Sequence, residues 1–134
     1  MFKYNRFNKE ELFEHFKSVF IKKGAIIIPY EYDIEINLID TPKLEQADLY
    51  TYSDIIKEAL ANIPNFDNII QKSCEMDYKK SDLNIRNFLF SLSYVNVSKD
   101  EISLCYWGDE VNSEFTVTFI KDGADWVCMN NKKI

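Results

Sequence analysis

The sequence predicts an α+β fold, a single domain in which an antiparallel β-sheet is packed on one face by about three helices. Three observations lead to this prediction. Apolar residues recur at helical spacing in two stretches of the first 80 residues, apolar and polar residues alternate near position 30 and through the last third, and only three Gly and three Pro interrupt 134 residues. Because one hydrophobic core serves about 100 to 200 residues, we expect residues 1–134 to form one domain.

The first predicted element is a helix from about Asn8 to Lys23. Asn8 can cap its amino terminus, Glu11 follows three residues later with the spacing of a capping box, and Gly24 is a typical stop. Its apolar residues recur at helical spacing: Leu12, Phe13, Phe16, Val19 and Phe20. One side of this helix is therefore expected to pack on the sheet.

Two strands are predicted next. The run from Ala25 to Ile28 is rich in β-branched residues and ends at Pro29. From Tyr30 to Leu38 the period becomes two, so one face is apolar and aromatic. The other face carries carboxylates about 7 Å apart along the strand. These carboxylates belong to Glu31, Asp33 and Glu35.

Two further helices are predicted between residues 52 and 80. They are expected to be separated at Pro64, because a proline inside a helix removes a backbone donor. Ser53 is the expected cap of the first of these helices, and Asn65 or Asp67 the expected cap of the second.

The last third predicts a meander of four strands. They are expected over residues 88–97, 102–107, 113–120 and 124–129, with turns at 98–101 and 108–112. Asp122-Gly123 is the strongest local signal for a hairpin turn. The sheet would thus be completed by consecutive antiparallel neighbours.

The charge and cysteine content exclude several classes of protein. There are 16 basic and 22 acidic residues, a net charge of −6, which opposes binding to a bare phosphate backbone. No apolar run approaches the roughly 18 residues that span a bilayer, and residues 1–14 are too polar for a signal peptide, so we expect a cytoplasmic protein without membrane contact. Three cysteines without CxxC spacing predict neither a disulfide framework nor a zinc site.

The negative charge is concentrated in two blocks. Residues 30–77 carry 11 acidic and three basic groups. Residues 100–126 carry seven acidic groups and one basic group. The strand from Tyr30 is expected to lie near the loop at Gly108. Its carboxylates and a second set of carboxylates around that loop would then form one anionic surface that steers a basic partner. This second set is Asp109, Glu110 and Glu114. The alternative is an ordinary solvated surface.

Aromatic residues adjoin the second acidic block. Tyr106 and Trp107 precede Gly108, and Trp126 follows Asp125. Aromatic anchors beside carboxylates are typical of binding hot spots. The predicted partner-binding surface therefore includes Tyr106, Trp107, Asp125 and Trp126. The alternative is that the rings pack in the core, although alternation prevents Tyr106 and Trp107 from facing it together.

Catalytic motifs are not recognisable. His15 is the only histidine, so a His-rich metal site is excluded, and no calcium loop, HExxH motif or glycine-rich phosphate loop occurs. We therefore predict no catalytic residues, metal or cofactor. Two alternatives stay open: a small carboxylate-dependent hydrolase or ligand-binding protein with a cleft lined by Tyr and Trp, and a homodimer formed through exposed aromatics.

The block from Leu92 to Met129 resembles the carboxyl-terminal meander of small bacterial immunity proteins. The resembling segments read ISLCYWGDE, SEFTVTF and IKDGADWVC. The resemblance implies a cytosolic protein of a contact-dependent or polymorphic toxin system, which binds a cognate toxin domain and occludes its active site without being an enzyme. Nuclease domains are basic, so a nuclease-type toxin would complement an acidic surface.

Overall fold

A computed structural model describes residues 8–23, 25–29, 33–41, 43–79, 90–108 and 113–129. These residues form three helices and six strands. In chain order they are α1 (Lys9–Lys23), β1 (Ile26–Pro29), β2 (Asp33–Leu38), α2 (Gln46–Thr51), α3 (Ser53–Lys79), β3 (Phe90–Val97), β4 (Glu101–Gly108), β5 (Ser113–Asp122) and β6 (Asp125–Cys128). The predicted α+β fold class is confirmed.

The six strands form one sheet in which sequence order and spatial order coincide. All neighbours are antiparallel except β2 and β3, which are parallel. A parallel pair needs a long crossover, and the segment that contains α2 and α3 supplies it. Helices α2 and α3 therefore lie in the connection that the parallel pair requires.

The core lies between the helices and one face of the sheet. In β2 the side chains of Ile34, Ile36 and Leu38 are buried, whereas those of Glu35 and Asn37 are exposed. The helices contribute apolar residues at helical spacing, which are Leu12 and Phe16 of α1 and Ile56, Ala59, Leu60, Ile63, Phe66 and Ile70 of α3. The strand alternation near residue 34 thus identified the buried face correctly.

Helix α1 begins where the sequence predicts. The backbone N–H of Glu11 donates to Asn8 Oδ1 at 2.9 Å, so Asn8 acts as the expected cap. Leu12 and Phe16 are almost fully buried. The expected stop at Gly24 lies outside the described residues.

The predicted break at Pro64 is wrong. Helix α3 runs through Pro64, and an unpredicted short helix, α2, precedes it. A proline inside a helix costs about 3 kcal/mol, but an uninterrupted helix keeps Leu60, Ile63 and Phe66 in one buried stripe. Burying each of these side chains contributes about 1.5 to 3 kcal/mol, which outweighs that cost.

The predicted caps near α3 are also wrong. Ser53 does not accept a backbone N–H but donates its hydroxyl to the Tyr50 carbonyl at 2.8 Å, which joins α2 to α3. Asp67 lies within α3, where its buried Oδ1 accepts the Tyr106 hydroxyl at 2.7 Å. Asn65 lies within the same uninterrupted helix.

The meander of the last third is confirmed in its strand order and in its turns near residues 98–100 and 123–124, whereas residues 109–112 of the other predicted turn lie outside the described residues. Strands β3, β4 and β5 begin and end within two residues of their predicted positions. Asp122 pairs with Asp125 across the hairpin, and Gly123 adopts a φ of 65°, a conformation that glycine tolerates best. No helix in the described part of the chain combines the length and apolar character needed to cross a bilayer.

We expect Tyr106→Phe to destabilise the protein by about 1 to 3 kcal/mol, because the buried Asp67 carboxylate loses a hydrogen bond. Chemical denaturation measures this loss. Tyr52→Phe is the control, since Tyr52 packs against the same core and its hydroxyl has no hydrogen-bond partner among the described residues. It should change stability by less than about 0.5 kcal/mol. Equal effects of the two variants would contradict a role for the hydrogen bond.

The single histidine provides a pH test of α1. Partial burial lowers the pKa of His15 below its usual 6.5, and its ring stands edge-on to Phe16 at 5.1 Å. The unfolded state therefore binds this proton more readily, so stability falls as the pH drops below 6.5. NMR titration of the His15 ring should give a midpoint below 6.5, and His15→Gln should flatten the stability profile there. A midpoint at or above 6.5 would contradict the packing of His15.

Candidate docking surface

The sheet surface turned away from the helices is uncovered in the described part of the chain, and we call it the open face. Its side chains alternate along each strand with those of the core. Exposed members include Glu35, Asn37, Tyr94, Trp107, Glu114, Thr116, Asp122, Asp125 and Val127. An antiparallel sheet commonly leaves one face to solvent, but two large rings and several carboxylates on that face need a further explanation.

Strand register brings four of these side chains to the same part of the open face. Glu35 is opposite Tyr94, Tyr94 is opposite Cys105, and Cys105 is opposite Thr116. Trp107 lies two residues beyond Cys105 and is opposite Glu114. Glu35, Tyr94, Trp107 and Glu114 therefore occupy adjoining positions on β2 to β5.

Tyr94 is positioned towards the centre of this group. It is 40% exposed, whereas Cys105 on the neighbouring strand is only 5% exposed. The pKa of Tyr94 is raised, first by the neighbouring Cys105 side chain and last by the negative charge of Glu114, which disfavours the phenolate. Tyr94 thus lies beside Cys105 of β4, on the same face of the sheet as Glu114.

Polar side chains on the open face bind one another across the strands. The Asn37 amide donates to Asn96 Oδ1 at 3.1 Å, Ser103 and Thr118 share a hydrogen bond of 2.8 Å, and Thr116 donates to Cys105 Sγ at 3.5 Å. Cross-strand pairs of this kind stabilise a sheet that lacks apolar cover. The open face is therefore built as a solvated surface.

The strands are strongly biased towards negative charge. They contain six acidic residues, which are Asp33, Glu35, Glu101, Glu114, Asp122 and Asp125, and one basic residue, Lys121. Lys121 lies on the helix side, where its Nζ is 2.7 Å from Glu58 Oε1 of α3. Within the described residues, no strand thus places a basic side chain on the open face.

Only part of the predicted acidic surface comes together. Glu35, Trp107 and Glu114 share one end of the open face, and Asp33 begins β2 at that same end. Asp125 does not join them, because the hairpin at Asp122 lies eight positions after Glu114 along β5, about 27 Å away. Glu31, Asp109 and Glu110 lie outside the described residues.

Two of the predicted aromatic contacts pack towards the helices instead. Tyr106 is 1% exposed, and its ring stacks on Phe115 at 5.2 Å. Trp126 is half-buried and stands edge-on to Phe66 at 6.1 Å, while Lys121 Nζ lies 5.8 Å from the centre of its ring. Of the three predicted rings, Trp107 is the exposed one, at 37%.

The sequence did not identify Tyr94 because a β-bulge changes the alternation in β3. Simple alternation puts Leu92 and Tyr94 on the same face, but the register shifts between them, with Ser93 as the extra residue. Leu92 and Val95 are consequently both buried and Tyr94 is exposed. The available signal was the spacing of three between the apolar residues Leu92 and Val95.

Catalytic and metal chemistry receive no support from the described residues. No group of three His, Cys, Asp or Glu side chains among them is arranged to hold a metal ion. His15 lies on α1, in the helix layer, away from the open face. Cys105 is covered on the open face, and Cys128 packs against the edge of the core.

No protein family matches this chain, and no curated protein or solved structure is significantly similar to it.

Truncation of the two tryptophans should destabilise the protein to different extents. Trp126→Ala removes packing against Phe66 and is expected to cost about 3 kcal/mol of folding stability. Trp107→Ala removes a ring from the open face and should cost less than about 1 kcal/mol. Urea denaturation measures both losses. A loss of stability for Trp107→Ala well above about 1 kcal/mol would mean that the Trp107 ring stabilises the fold.

Proposed function

We propose that the chain is a binding protein whose open face docks a basic protein domain. The observation that carries this proposal is the distribution of charge on the sheet, with six acidic residues against a single lysine that is held on the helix side. An anionic surface raises the association rate of a basic partner. Tyr94 and Trp107 supply large rings of the kind that anchor interfaces.

We infer further that the basic partner is a cognate toxin domain, of nuclease type, and that the chain is its cytosolic immunity protein. This step rests on the resemblance of the segment from Leu92 to Met129 to immunity proteins. Tyr94, Trp107 and Glu114 all lie within that segment. Neutralisation would proceed by occlusion of the toxin's active site, without turnover.

The separation of Glu35 and Glu114 favours binding over hydrolysis by this pair. Glu35 and Glu114 stand three strands apart, with their Cα atoms about 16 Å from each other. Paired catalytic carboxylates in glycosidases are about 5 to 9.5 Å apart. These two groups are therefore spaced to attract a partner over an area and not to act on one bond.

Co-expression with the product of the adjacent gene tests the immunity function. The neighbour alone should arrest growth, and this chain should restore growth and co-purify with it in a stoichiometric complex. A neighbour that is harmless alone, or one that remains toxic when this chain is present, would contradict the proposal.

Charge reversal tests whether the open face forms the interface in that complex. Glu35→Lys together with Glu114→Lys should slow association at least about tenfold at low salt, and the difference should shrink as salt screens the charges. Stopped-flow fluorescence measures the rate. Glu11→Lys with Glu14→Lys, which changes the same number of charges on α1, is the matched control and should have a smaller effect. Equal slowing by both pairs would remove the open face from the interface.

A further inference from the structure

Tyr94 and Trp107 lie close together on the open face. Tyr94 is opposite Cys105, and Trp107 is two residues further along β4. Diagonal neighbours of this kind are about 7 to 8 Å apart, within reach of aromatic side chains. Both rings remain more than one third exposed. They form a pair of aromatic surfaces that solvent, or a partner, can reach.

Glu114 adds a carboxylate beside these rings. It is directly opposite Trp107, which places the two Cβ atoms about 4.5 to 5.5 Å apart. Its negative charge also acts on the Tyr94 phenol, whose pKa it helps to raise. Glu114 forms no ion pair with a described residue, since the one strand lysine is bound to Glu58 on the other side of the sheet.

A group of aromatic rings and a carboxylate suits a guanidinium better than an ammonium group. A guanidinium is planar, stacks on aromatic rings, and offers two parallel N–H donors to a carboxylate. An ammonium group is a compact and strongly hydrated charge that makes no such paired contact. The chemistry of the group therefore distinguishes arginine from lysine.

We propose that Tyr94, Trp107 and Glu114 form a seat for an arginine side chain of the basic partner. The inference rests on the proposed function, because it names the contact through which the open face would recognise that partner. The guanidinium stacks on the two rings and donates to the Glu114 carboxylate. Glu35, on the other side of Tyr94, attracts a second basic residue of the same segment.

Short basic peptides test this seat with the full-length protein. The probes are capped tri-arginine and capped tri-lysine, which carry equal charge and span about 10 Å. Titration of the ¹⁵N-labelled protein follows the indole N–H of Trp107, with that of Trp126 as internal reference. Tri-arginine should shift the Trp107 signal and bind at least about fivefold more tightly than tri-lysine.

Two variants test whether Glu114 is responsible for the preference for tri-arginine over tri-lysine. Glu114→Gln should bring the affinity ratio of the two peptides close to one. Glu101→Gln removes the same charge from β4 six residues from Trp107, about 20 Å away, and should preserve the ratio. A ratio that survives Glu114→Gln would overturn the assignment of Glu114.

The outcomes separate this inference from the proposed function. Equal affinity of the two peptides, with a shift at Trp107, would overturn the arginine seat and leave the open face as a general docking surface for cations. The absence of a Trp107 shift with either peptide would overturn the seat and would also contradict docking of basic partners on the open face.

Discussion

The structure depends on one constraint: the helices cover a single face of the sheet. Apolar side chains of α1 and α3 bury the residues of β2 to β5 that point towards them, and this burial provides the main favourable free energy of the fold. The opposite face has to be stable in water. It therefore carries hydroxyls, amides and carboxylates that bind one another or the solvent, such as the pair formed by Ser103 and Thr118.

Polar contacts fix how the helix layer sits on the sheet. Asp67 of α3 accepts the Tyr106 hydroxyl inside the core, and Glu58 of the same helix binds Lys121 of β5. A buried carboxylate requires such a partner, so the register of α3 against β4 is specified by more than apolar packing. The same arrangement assigns the one strand lysine to the helix side. Among the described residues, the joining of the two layers thus keeps the positive charge of this lysine off the open face.

The sequence predicted the elements whose signals are local. The cap at Asn8, the alternation around Ile34 and the turn at Gly123 each involve neighbouring residues, and each was predicted correctly. The errors arose where tertiary contacts decide. Burial of Ile63 and Phe66 keeps α3 continuous through Pro64, and the bulge at Ser93 depends on pairing with β4. The same distinction applies to the candidate site. Trp107 and Glu114 were predicted from the sequence, whereas Tyr94 became apparent only from the register of three strands.

Recognition through the open face requires that this surface, and not the helix layer, attracts cations. NMR relaxation by soluble nitroxides tests this directly, by comparing a cationic with an anionic probe of the same size. We predict that the cationic probe relaxes the ring protons of Tyr94 and Trp107 more than the anionic probe does, and by a larger ratio than it does for His15 on α1. An equal or smaller ratio at Tyr94 and Trp107 would contradict the assignment of the docking surface.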